Sequence, residues 1–329
     1  MKIIVSSLVL AGTLVTAHAG MAQQAASGEV EYCRSLAKAY LSQNSVQASP
    51  NVADATLADG CTGDVQGTTA SLKRKLADDQ LTFCLGVNQA RTPNIAMIAA
   101  AAGFDAIYVD LEHNPTSLET CSMLCVAAIT AGVTPVVRIG SQDGHLAARV
   151  LDGGAQGLMV PHINSPTEAA AIVTACRFPP VGHRSVGGAG PALGYRPMAQ
   201  AEVSDFLNRE TLLLAMIETP EAVEQSEAIA AVPGIDGLHI GSNDLCSEMG
   251  IPGQYRDPRY LKAVERCGKA ARDHGKCLGI GGILFDHELQ TEVVRLGARY
   301  LTAGNDVQYL LRGARADVER MKTIPVARR

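Results

Sequence analysis

The stretch AIYVDLEHNPTSLETCSMLCVAAITAGVTPVVRI, residues 106–139, contains one complete unit of the fold. It begins and ends with short apolar runs, AIYVDL and TPVVRI, which have the length and composition of buried strands. Between them, LETCSMLCVAAIT has helical spacing and is followed by Ala131 and Gly132, a common helix ending. Two continuous apolar strands joined by a helix are typical of neighbouring parallel strands with a crossover helix.

The same alternation repeats along the chain from about residue 75. Eight apolar runs predict strands: TFCLGV, AIYVDL, TPVVRI, GLMVPH, LLLAMIE, GLHIGS, CLGIGG and YLTAG. Segments rich in Ala and Leu with helical spacing separate them. Eight strand–helix units in about 255 residues predict a (β/α)8 TIM barrel. A doubly wound parallel sheet would also alternate in this way and is the second interpretation.

The N-terminal region does not share this pattern. Residues 1–19 combine Lys2, an apolar run and a small-x-small sequence at residues 17–19, which favours a cleaved secretory signal peptide over a membrane anchor. We therefore expect the protein in the periplasm or outside the cell if the signal is functional, and in the cytoplasm otherwise. Residues 20–72 predict a small accessory or linker region, and residues 73–329 the barrel domain.

Cysteines fall into two groups. Cys33 and Cys61 lie in the accessory region, where an exported protein could join them in a disulfide; a reduced pair is the alternative. The other seven lie mostly in apolar runs without C-x-x-C spacing, so we predict small buried hydrophobic residues rather than zinc ligands.

The overall charge of the chain indicates which classes of molecule it could bind. The net charge of −5 and the absence of a basic patch in the sequence argue against nucleic acid. After the predicted signal peptide, no segment of the sequence is apolar for long enough to span a bilayer, so we expect no membrane association once the signal is cleaved. A small-molecule substrate is the remaining expectation.

Ionisable side chains stand at or just after the ends of the predicted strands. In a TIM barrel the carboxyl ends of the strands carry the active site. The candidates at these ends are Asp110, Glu112, His113, Arg138, His162, Glu218 and Asp244. We therefore expect these side chains to converge on one site.

Glu218 and Asp244 follow neighbouring strands, the fifth and the sixth. Two carboxylates there could bind a hard divalent cation such as Mg²⁺ or Mn²⁺, with substrate oxygens and water completing the coordination. Taken singly, Glu218 could cap the next helix and Asp244 could form a turn. Their joint occurrence at adjacent strand ends favours the metal site.

Arg138 and His113 are candidates for catalysis. A buried arginine needs an anionic partner, which for Arg138 is either Asp110 or Glu112, or a substrate carboxylate or enolate. His113 has a side chain suited to proton transfer near neutral pH, and either carboxylate could orient it.

The sequence resembles the HpcH/HpaI aldolase family, the metal-dependent pyruvate aldolases of the 2,4-dihydroxyhept-2-ene-1,7-dioate aldolase type. The resemblance covers about residues 72–325 and rests on DLEH, VVRI, LDGGAQGLMVPH, RFPPVGHRS, IETPEA and GIDGLHIGSNDL in this order. It implies a barrel of the phosphoenolpyruvate/pyruvate-domain type, a divalent cation (Mg²⁺ or Mn²⁺, with Co²⁺ as a further candidate), a 2-oxo acid and an aldehyde as substrates, and a homo-oligomer, commonly a hexamer built as a trimer of dimers.

The resemblance also implies roles for individual residues. Glu218 and Asp244 correspond to metal ligands. Arg138 corresponds to the arginine that binds pyruvate and stabilises its enolate, and His113, paired with Asp110, to the catalytic base. In the family, the backbone that corresponds to residues 242–244 binds the pyruvate carboxylate, which here assigns that contact to Ser242, Asn243 and Asp244.

Two further residues have supporting roles in this scheme. Asp152 corresponds to an aspartate that is presented at a subunit interface toward a neighbouring active site, and Glu112 either pairs with Arg138 or supports the residues around it. Met216 is a departure, because the family usually has Gln at this position, and GSNDL replaces the commoner GPADL. These departures concern the substrate rather than the metal or the enolate chemistry.

The sequence therefore predicts a class II (metal-dependent) aldolase, a carbon–carbon lyase acting on pyruvate or a similar 2-oxo acid. Two alternatives remain open at this point. One is a lyase of a CoA-thioester or phosphorylated substrate on the same barrel, and the other is a non-catalytic periplasmic protein that binds 2-oxo acids.

Overall fold

The computed structural model describes residues 71–140 and 142–326. In this part of the chain eight parallel strands close into a barrel, each strand pairing with its neighbours in sequence and β8 pairing with β1. The strands are β1 Thr82–Val87, β2 Ala106–Asp110, β3 Thr134–Arg138, β4 Gly157–Val160, β5 Leu212–Ile217, β6 Gly237–Gly241, β7 Cys277–Gly281 and β8 Ala298–Asn305. The predicted TIM barrel is confirmed, and the doubly wound sheet is wrong.

Helices lie between the strands and around the barrel. They are α1 Ser71–Ala77, α2 Asn94–Ala101, α3 Leu118–Thr130, α4 Gly144–Asp152, α5 Pro166–Cys176, α6 Gln200–Glu210, α7 Pro220–Glu224, α8 Ser226–Ala230, α9 Ser242–Glu248, α10 Pro258–Asp273, α11 His287–Arg295 and α12 Asp306–Met321, with a 3-10 turn at Pro191–Leu193. Side-chain caps fix several starts: Ser165 and Glu168 form a reciprocal capping box at the beginning of α5. Among the described residues no helix is long and apolar enough to cross a membrane.

The strands are continuous apolar runs because both of their faces are covered. Outward-facing side chains such as Ile107 and Leu213 pack with the surrounding helices in one large cluster. Inward-facing side chains form a second cluster, the barrel interior, which includes Tyr108, Met159 and Tyr300. Alternation along each strand thus divides one apolar run between two cores.

Helix α1 belongs to the barrel interior. Leu72 is completely buried there together with Leu76. The predicted domain boundary between residues 72 and 73 therefore falls inside α1.

The seven cysteines of the barrel, Cys84, Cys121, Cys125, Cys176, Cys246, Cys267 and Cys277, are buried and free, as predicted. The signal peptide, almost all of the accessory region and the Cys33–Cys61 disulfide lie outside the described residues. They stay predictions, as does the localisation that depends on them.

Candidate active site

A cavity of about 290 Å³ opens at the carboxyl ends of the barrel strands. It is lined by Gly86, Asn88, Tyr108, Asp110, His113, Asn114, Arg138, Met216, His239, Gly241, Ser242, Asn243, Asp244, Gly281, Gly282, Leu284, Thr302, Gly304, Asn305 and Gln308. Six of the predicted site residues are in this set, and Met216 is also there. The structure therefore brings together residues that are more than a hundred positions apart in the sequence.

Asp110 and Arg138 form a buried pair at the floor of this cavity. They are direct register neighbours at the ends of β2 and β3, and Arg138 donates from Nε and Nη2 to the two carboxylate oxygens at 2.9 and 2.7 Å. Burial opposes ionisation of Asp110, but the two hydrogen bonds and the charge of Arg138 outweigh it and hold the pKa of Asp110 below its ordinary value. In the same way burial would lower the pKa of Arg138, but Asp110 raises it, so the guanidinium stays charged.

Glu112 is the second carboxylate on Arg138. Its Oε2 lies 3.0 Å from Nη1 of Arg138, an ion-pair distance without hydrogen-bond geometry. Of the five N–H groups of Arg138, two are hydrogen-bonded to Asp110. Within the described residues the remaining N–H groups have no hydrogen-bond acceptor, and Arg138 lines the cavity. The guanidinium is thus fixed in place with donors to spare for a ligand.

His113 contacts both of the carboxylates that the sequence offered as its partner, Asp110 and Glu112. Both oxygens of Asp110 are engaged, by Arg138, by the amide of Asn114 at 2.9 Å and by the backbone N–H of Glu112 at 3.0 Å. The imidazole of His113 is 62 % exposed and approaches Glu112, with Nε2 3.8 Å from Oε2. Asp110 accepts the backbone N–H of His113 at 3.5 Å, and its pairing with the imidazole, which the resemblance implies, stays a prediction. The bidentate geometry that Asp110 offers is taken by Arg138, which matches it.

Glu218 stands at the end of β5 and is 2 % exposed. Its Oε2 accepts the backbone N–H of His162 at 2.8 Å, while Oε1 has no hydrogen-bond partner among the described residues. A Cβ atom on Gly241 would lie 2.7 Å from Oε1, so only a glycine leaves room for this carboxylate. Burial is the main cause that raises the pKa of Glu218, and the charges of Asp244 and Glu112 raise it further.

This arrangement fits a divalent cation. A buried carboxylate oxygen without a partner is costly, and Asp244 lies close enough to repel it. A cation between Glu218 and Asp244 would remove both costs. No cluster of three or more His, Cys, Asp or Glu side chains that could hold a metal occurs in the described part of the chain. The protein would therefore supply two carboxylates and leave the other positions to oxygens of substrate and water.

His162 lies between Glu112, the carboxylate on Arg138, and Glu218, the proposed metal ligand. Its imidazole lies 3.1 Å from Oε1 of Glu112 through Nε2 and 3.3 Å from Oε2 of Glu218 through Nδ1. Its backbone has φ of 55°, a left-handed conformation that is uncommon outside glycine. A non-glycine residue in that region often marks a functional site. The sequence showed His162 at a strand end, but no pattern in the sequence indicated this bridging position.

Helix α9 begins at the edge of the cavity. No side chain caps its first turn, and Ser242, Asn243 and Asp244 line the cavity there. The hydroxyl of Ser242 is paired with that of Tyr260 at 2.7 Å, so Ser242 faces the cavity with its backbone rather than with its hydroxyl. The first N–H groups of a helix have no intrahelical partners and attract anions.

Asp152 is not among the residues that line the cavity. It ends α4, is about half exposed, and accepts a hydrogen bond from Nη2 of the buried Arg184 at 2.6 Å. The Gly-rich segment around Gly187 and Gly190 packs against it. Within one copy of the chain Asp152 is therefore a fixed, outward-facing carboxylate.

The strand pair β8 and β1 contributes polar residues that the sequence reasoning missed. Asn88, Thr302, Asn305 and Gln308 line this side of the cavity. Asn305 and Gln308 form the capping box of α12, and Asp306 accepts three backbone N–H groups of residues 88–90. In the sequence these positions include AGND, residues 303–306, at the end of β8 and the start of α12, but a helix cap and a cavity wall have the same composition.

Comparison with known proteins agrees with this geometry. Residues 87–312 match the HpcH/HpaI aldolase/citrate lyase family. The 4-hydroxy-4-methyl-2-oxoglutarate aldolase of Hapsidospora irregularis is 37 % identical over 246 residues, which cover 74 % of this chain and 91 % of that protein. The pyruvate aldolase of Rhizobium etli is 37 % identical over 229 residues, 69 % of this chain and 88 % of that one.

A solved structure is similar over the whole barrel. The HpcH/HpaI aldolase of Desulfitobacterium hafniense superposes with a TM-score of 0.73 at 31 % identity, covering 78 % of this chain and 99 % of that chain. The resemblance predicted from the sequence motifs is thereby confirmed. This chain belongs to the HpcH/HpaI aldolase/citrate lyase family.

Proposed function

We propose that the protein is a divalent-metal-dependent aldolase that cleaves or forms the bond between pyruvate, or a similar 2-oxo acid, and a carbonyl acceptor. One observation carries the proposal. The buried Oε1 of Glu218 has no hydrogen-bond partner in the described part of the chain, and Glu218 lies close enough to Asp244 to be repelled by it, in a site that also holds a charged, immobilised Arg138. The relatives named as aldolases of pyruvate and of 4-hydroxy-4-methyl-2-oxoglutarate support the reaction class.

Glu218 and Asp244 would hold the cation, with Mg²⁺ or Mn²⁺ preferred and Co²⁺ as a further candidate, because carboxylate oxygens suit these ions. A bound divalent cation supplies positive charge to the carboxylate and 2-oxo oxygens of the substrate. The uncapped first turn of α9 would receive the substrate carboxylate on its backbone N–H groups.

Arg138 supplies the second positive charge. Cleavage of a 4-hydroxy-2-oxo acid breaks the C3–C4 bond, and its electron pair moves toward the 2-oxo oxygen to give the enolate of the donor. Arg138 is held by Asp110 and Glu112, and its unused N–H groups stabilise that developing charge without reorganisation. A solvent proton added to C3, balanced by the proton that the C4 hydroxyl gives up, then releases the 2-oxo acid.

His113 is the proposed proton acceptor. As the C3–C4 bond breaks, the C4 hydroxyl gives up its proton and becomes the carbonyl of the acceptor product. His113 lines the cavity, and its Nε2 lies 3.8 Å from Oε2 of Glu112, so the imidazole stands where it can take up that proton. In bond formation the same imidazolium returns the proton to the new hydroxyl.

Two other mechanisms fit the cavity less well. None of the residues that line it is a lysine, so the described site has no amine for a Schiff base. Among the described residues that line the cavity Arg138 is the one arginine, and two carboxylates already hold it. A phosphorylated or CoA-thioester substrate would find little positive charge in this cavity, which favours the simple 2-oxo acid.

The function is tested with the mature protein and 4-hydroxy-4-methyl-2-oxoglutarate, which cleaves to two molecules of pyruvate. Pyruvate formation is followed through lactate dehydrogenase after EDTA treatment, desalting and addition of Mg²⁺, Mn²⁺ or Co²⁺. We expect negligible activity without metal and recovery with at least one cation. Full activity of the metal-free protein, or no cleavage of this or any other 4-hydroxy-2-oxo acid with any of the cations, would contradict the proposal.

We also propose that the protein is a homo-oligomer, as the resemblance implies. Helix α12 has no buried residue, although it carries an apolar stripe that includes Leu310, Val318 and Met321. Leu310 is 72 % and Met321 56 % exposed. An apolar helix face of this length in a barrel enzyme is typical of a surface that a second copy covers. The fixed carboxylate of Asp152 is suited to face a neighbouring subunit.

Replacing Leu310 with Asp is expected to reduce the oligomer to a smaller species, because a charge in the centre of an apolar interface is not compensated. Light scattering after size-exclusion chromatography measures the mass. The matched control is Ala316→Asp, which places the same charge on the opposite, exposed face of α12. A monomeric wild-type protein, or equal masses for wild type and Leu310→Asp, would contradict the proposal.

A further inference from the structure

His239 is a buried polar side chain that the mechanism above does not use. It lies in the middle of β6 with its imidazole inside the barrel, where it is 2 % exposed and forms part of the cavity floor. Arg138 is near enough to affect its ionisation. On the neighbouring strand its register partner is Met216, whose thioether also faces the cavity. His239 therefore supplies polar atoms to a part of the floor where Met216 offers almost none.

The strand on the other side leaves room for this imidazole. A Cβ atom on Gly279 would lie 2.3 Å from Nδ1, and one on Gly281 would lie 3.0 Å from Nε2. Gly281 is the last residue of β7, nearer to the cavity mouth than Gly279. Nε2 is therefore the nitrogen that faces the cavity, and Nδ1 points into the barrel. A side chain larger than hydrogen at position 279 would displace the ring.

The imidazole is neutral. Burial, and then the charge of Arg138, lower the pKa of His239 to about 3. A neutral ring has one N–H donor and one acceptor nitrogen. Nδ1 has no hydrogen-bond partner among the described residues, and the ring of Tyr300 stands edge-on to the imidazole at 5.6 Å.

Such a residue does not stabilise the fold. An unpaired buried polar group is destabilising, and an aliphatic side chain would fill the same space without that cost. Nε2, which faces the cavity, also has no hydrogen-bond partner among the described residues, and a cavity-lining polar atom of this kind is the pattern of a group kept for the ligand. The candidate ligand atoms are those of the donor 2-oxo acid that the other groups do not contact.

We propose that Nε2 of His239 hydrogen-bonds a hydroxyl group on C3 of the donor, so that the site selects a hydroxylated 2-oxo acid, with hydroxypyruvate as the smallest example, over pyruvate. The inference rests on the proposed aldolase function. In that function the carboxylate faces α9 and the 2-oxo oxygen faces Arg138, which leaves the C3 substituent for the rest of the floor. A hydroxyl both donates and accepts, so it matches a neutral imidazole in either tautomer.

A carboxylate on C3 is a poorer match. Asp110 lines the cavity, and Glu112 and Asp244 stand at the same site. A second carboxylate on the donor would add negative charge beside these groups, and a neutral imidazole would not offset it. Oxaloacetate is therefore the comparison substrate that separates a hydroxyl-selective site from one that accepts any polar C3 substituent.

The test compares donors without an acceptor. The enzyme, loaded with Mn²⁺, is placed in D₂O, and deuterium incorporation at C3 of pyruvate and of hydroxypyruvate is measured by mass spectrometry, with the uncatalysed rate subtracted. The quantity of interest is the ratio of kcat/KM for hydroxypyruvate to kcat/KM for pyruvate. We expect wild type to prefer hydroxypyruvate and His239→Leu to lower this ratio about tenfold, since one hydrogen bond is lost.

Two further variants test which of the two ring nitrogens makes the hydrogen bond. The amide nitrogen of Gln reaches the place of Nε2, whereas Asn reaches only that of Nδ1, so His239→Gln should retain most of the ratio and His239→Asn should lose it. The matched control, His287→Leu on the exposed start of α11, should keep the wild-type ratio. Thermal unfolding midpoints identify any variant that is not folded, and the soluble variants supply the comparison.

The possible failures are distinguishable. If the enzyme exchanges pyruvate but His239→Leu leaves the ratio unchanged, or if His239→Asn retains it as well as His239→Gln does, the inference about His239 is overturned and the aldolase function stands. A wild-type kcat/KM for oxaloacetate, followed by loss of CO₂ from C3, that exceeds kcat/KM for hydroxypyruvate, followed by proton exchange at C3, also overturns it, since both reactions form the enolate of the donor. If the metal-loaded wild type exchanges neither donor, the proposed function fails and the inference with it.

Discussion

The Glu218→Gln variant is expected to lose at least about 10³-fold in kcat/KM for metal-dependent aldol cleavage. The change keeps the volume of the side chain and the hydrogen bond from the backbone of His162, because the amide oxygen of Gln can still accept it. It removes the negative charge that a cation needs and places an amide in the space beside Gly241. The loss would therefore be a loss of metal rather than of structure.

Metal content and activity are measured together on this variant. Inductively coupled plasma analysis after incubation with Mn²⁺ should show about one equivalent bound to the wild type and little to Glu218→Gln. The matched control is Glu221→Gln, which makes the same chemical change on the exposed face of α7, three residues later. Activity within a factor of two of wild type for Glu218→Gln would remove the metal site from the account.

Arg138→Met is expected to have the second-largest effect and to act on both catalysis and stability. If Arg138 stabilises the enolate as proposed, loss of its charge should lower kcat by about 10²–10³-fold. In addition, Asp110 is left buried without its main partner, which typically costs about 3–5 kcal/mol. Catalytic loss alone would indicate that Asp110 is satisfied elsewhere, and loss of stability alone would indicate a purely structural arginine.

A double variant separates the two effects. Asp110→Asn combined with Arg138→Met removes the unpaired charge, so the thermal midpoint should recover much of the loss while kcat stays low. Steady-state kinetics and thermal unfolding of the two single variants and the double variant provide the comparison. Recovery of kcat together with stability in the double variant would contradict a direct role of Arg138 at the enolate.

Much of the fold could be predicted because buried parallel strands have an unambiguous sequence pattern. The predicted run TFCLGV coincides with β1, and the others agree with the observed strands to within two residues at either end. The strand ends then follow from the fold, since all carboxyl ends of a parallel barrel meet at one face. That rule was enough to bring Asp110, Arg138 and residues 242–244 into one cavity.

The sequence could not predict which side chains of the site pair with each other. Asp110 and Glu112 are two residues apart, and either could reach Arg138 or His113 from the sequence alone. The outcome depends on register: Asp110 lies directly opposite Arg138 in the sheet, whereas Glu112 lies beyond the strand and reaches both Arg138 and His162. The left-handed backbone of His162, which points its N–H at Glu218, has no sequence signal.

The sequence around His239 contains a pattern that indicates a polar side chain inside the barrel. In GLHIG the histidine is the middle residue of an otherwise apolar strand, and alternation places it on the same face as the two glycines at the strand ends, opposite Leu238 and Ile240. A polar residue on an inward face of a barrel is unusual enough to predict a ligand contact. The glycines of CLGIG on the next strand, at the positions that face it, were the second half of the signal.

The most direct test of the central claim, that Glu218 and Asp244 hold a cation with which Arg138 stabilises a 2-oxo acid enolate, is deuterium incorporation at C3 of pyruvate in D₂O. The account predicts rapid incorporation by the Mn²⁺-loaded wild type, none above background after EDTA treatment, and none by Glu218→Gln. Wild-type incorporation by the metal-free protein or by Glu218→Gln would contradict it.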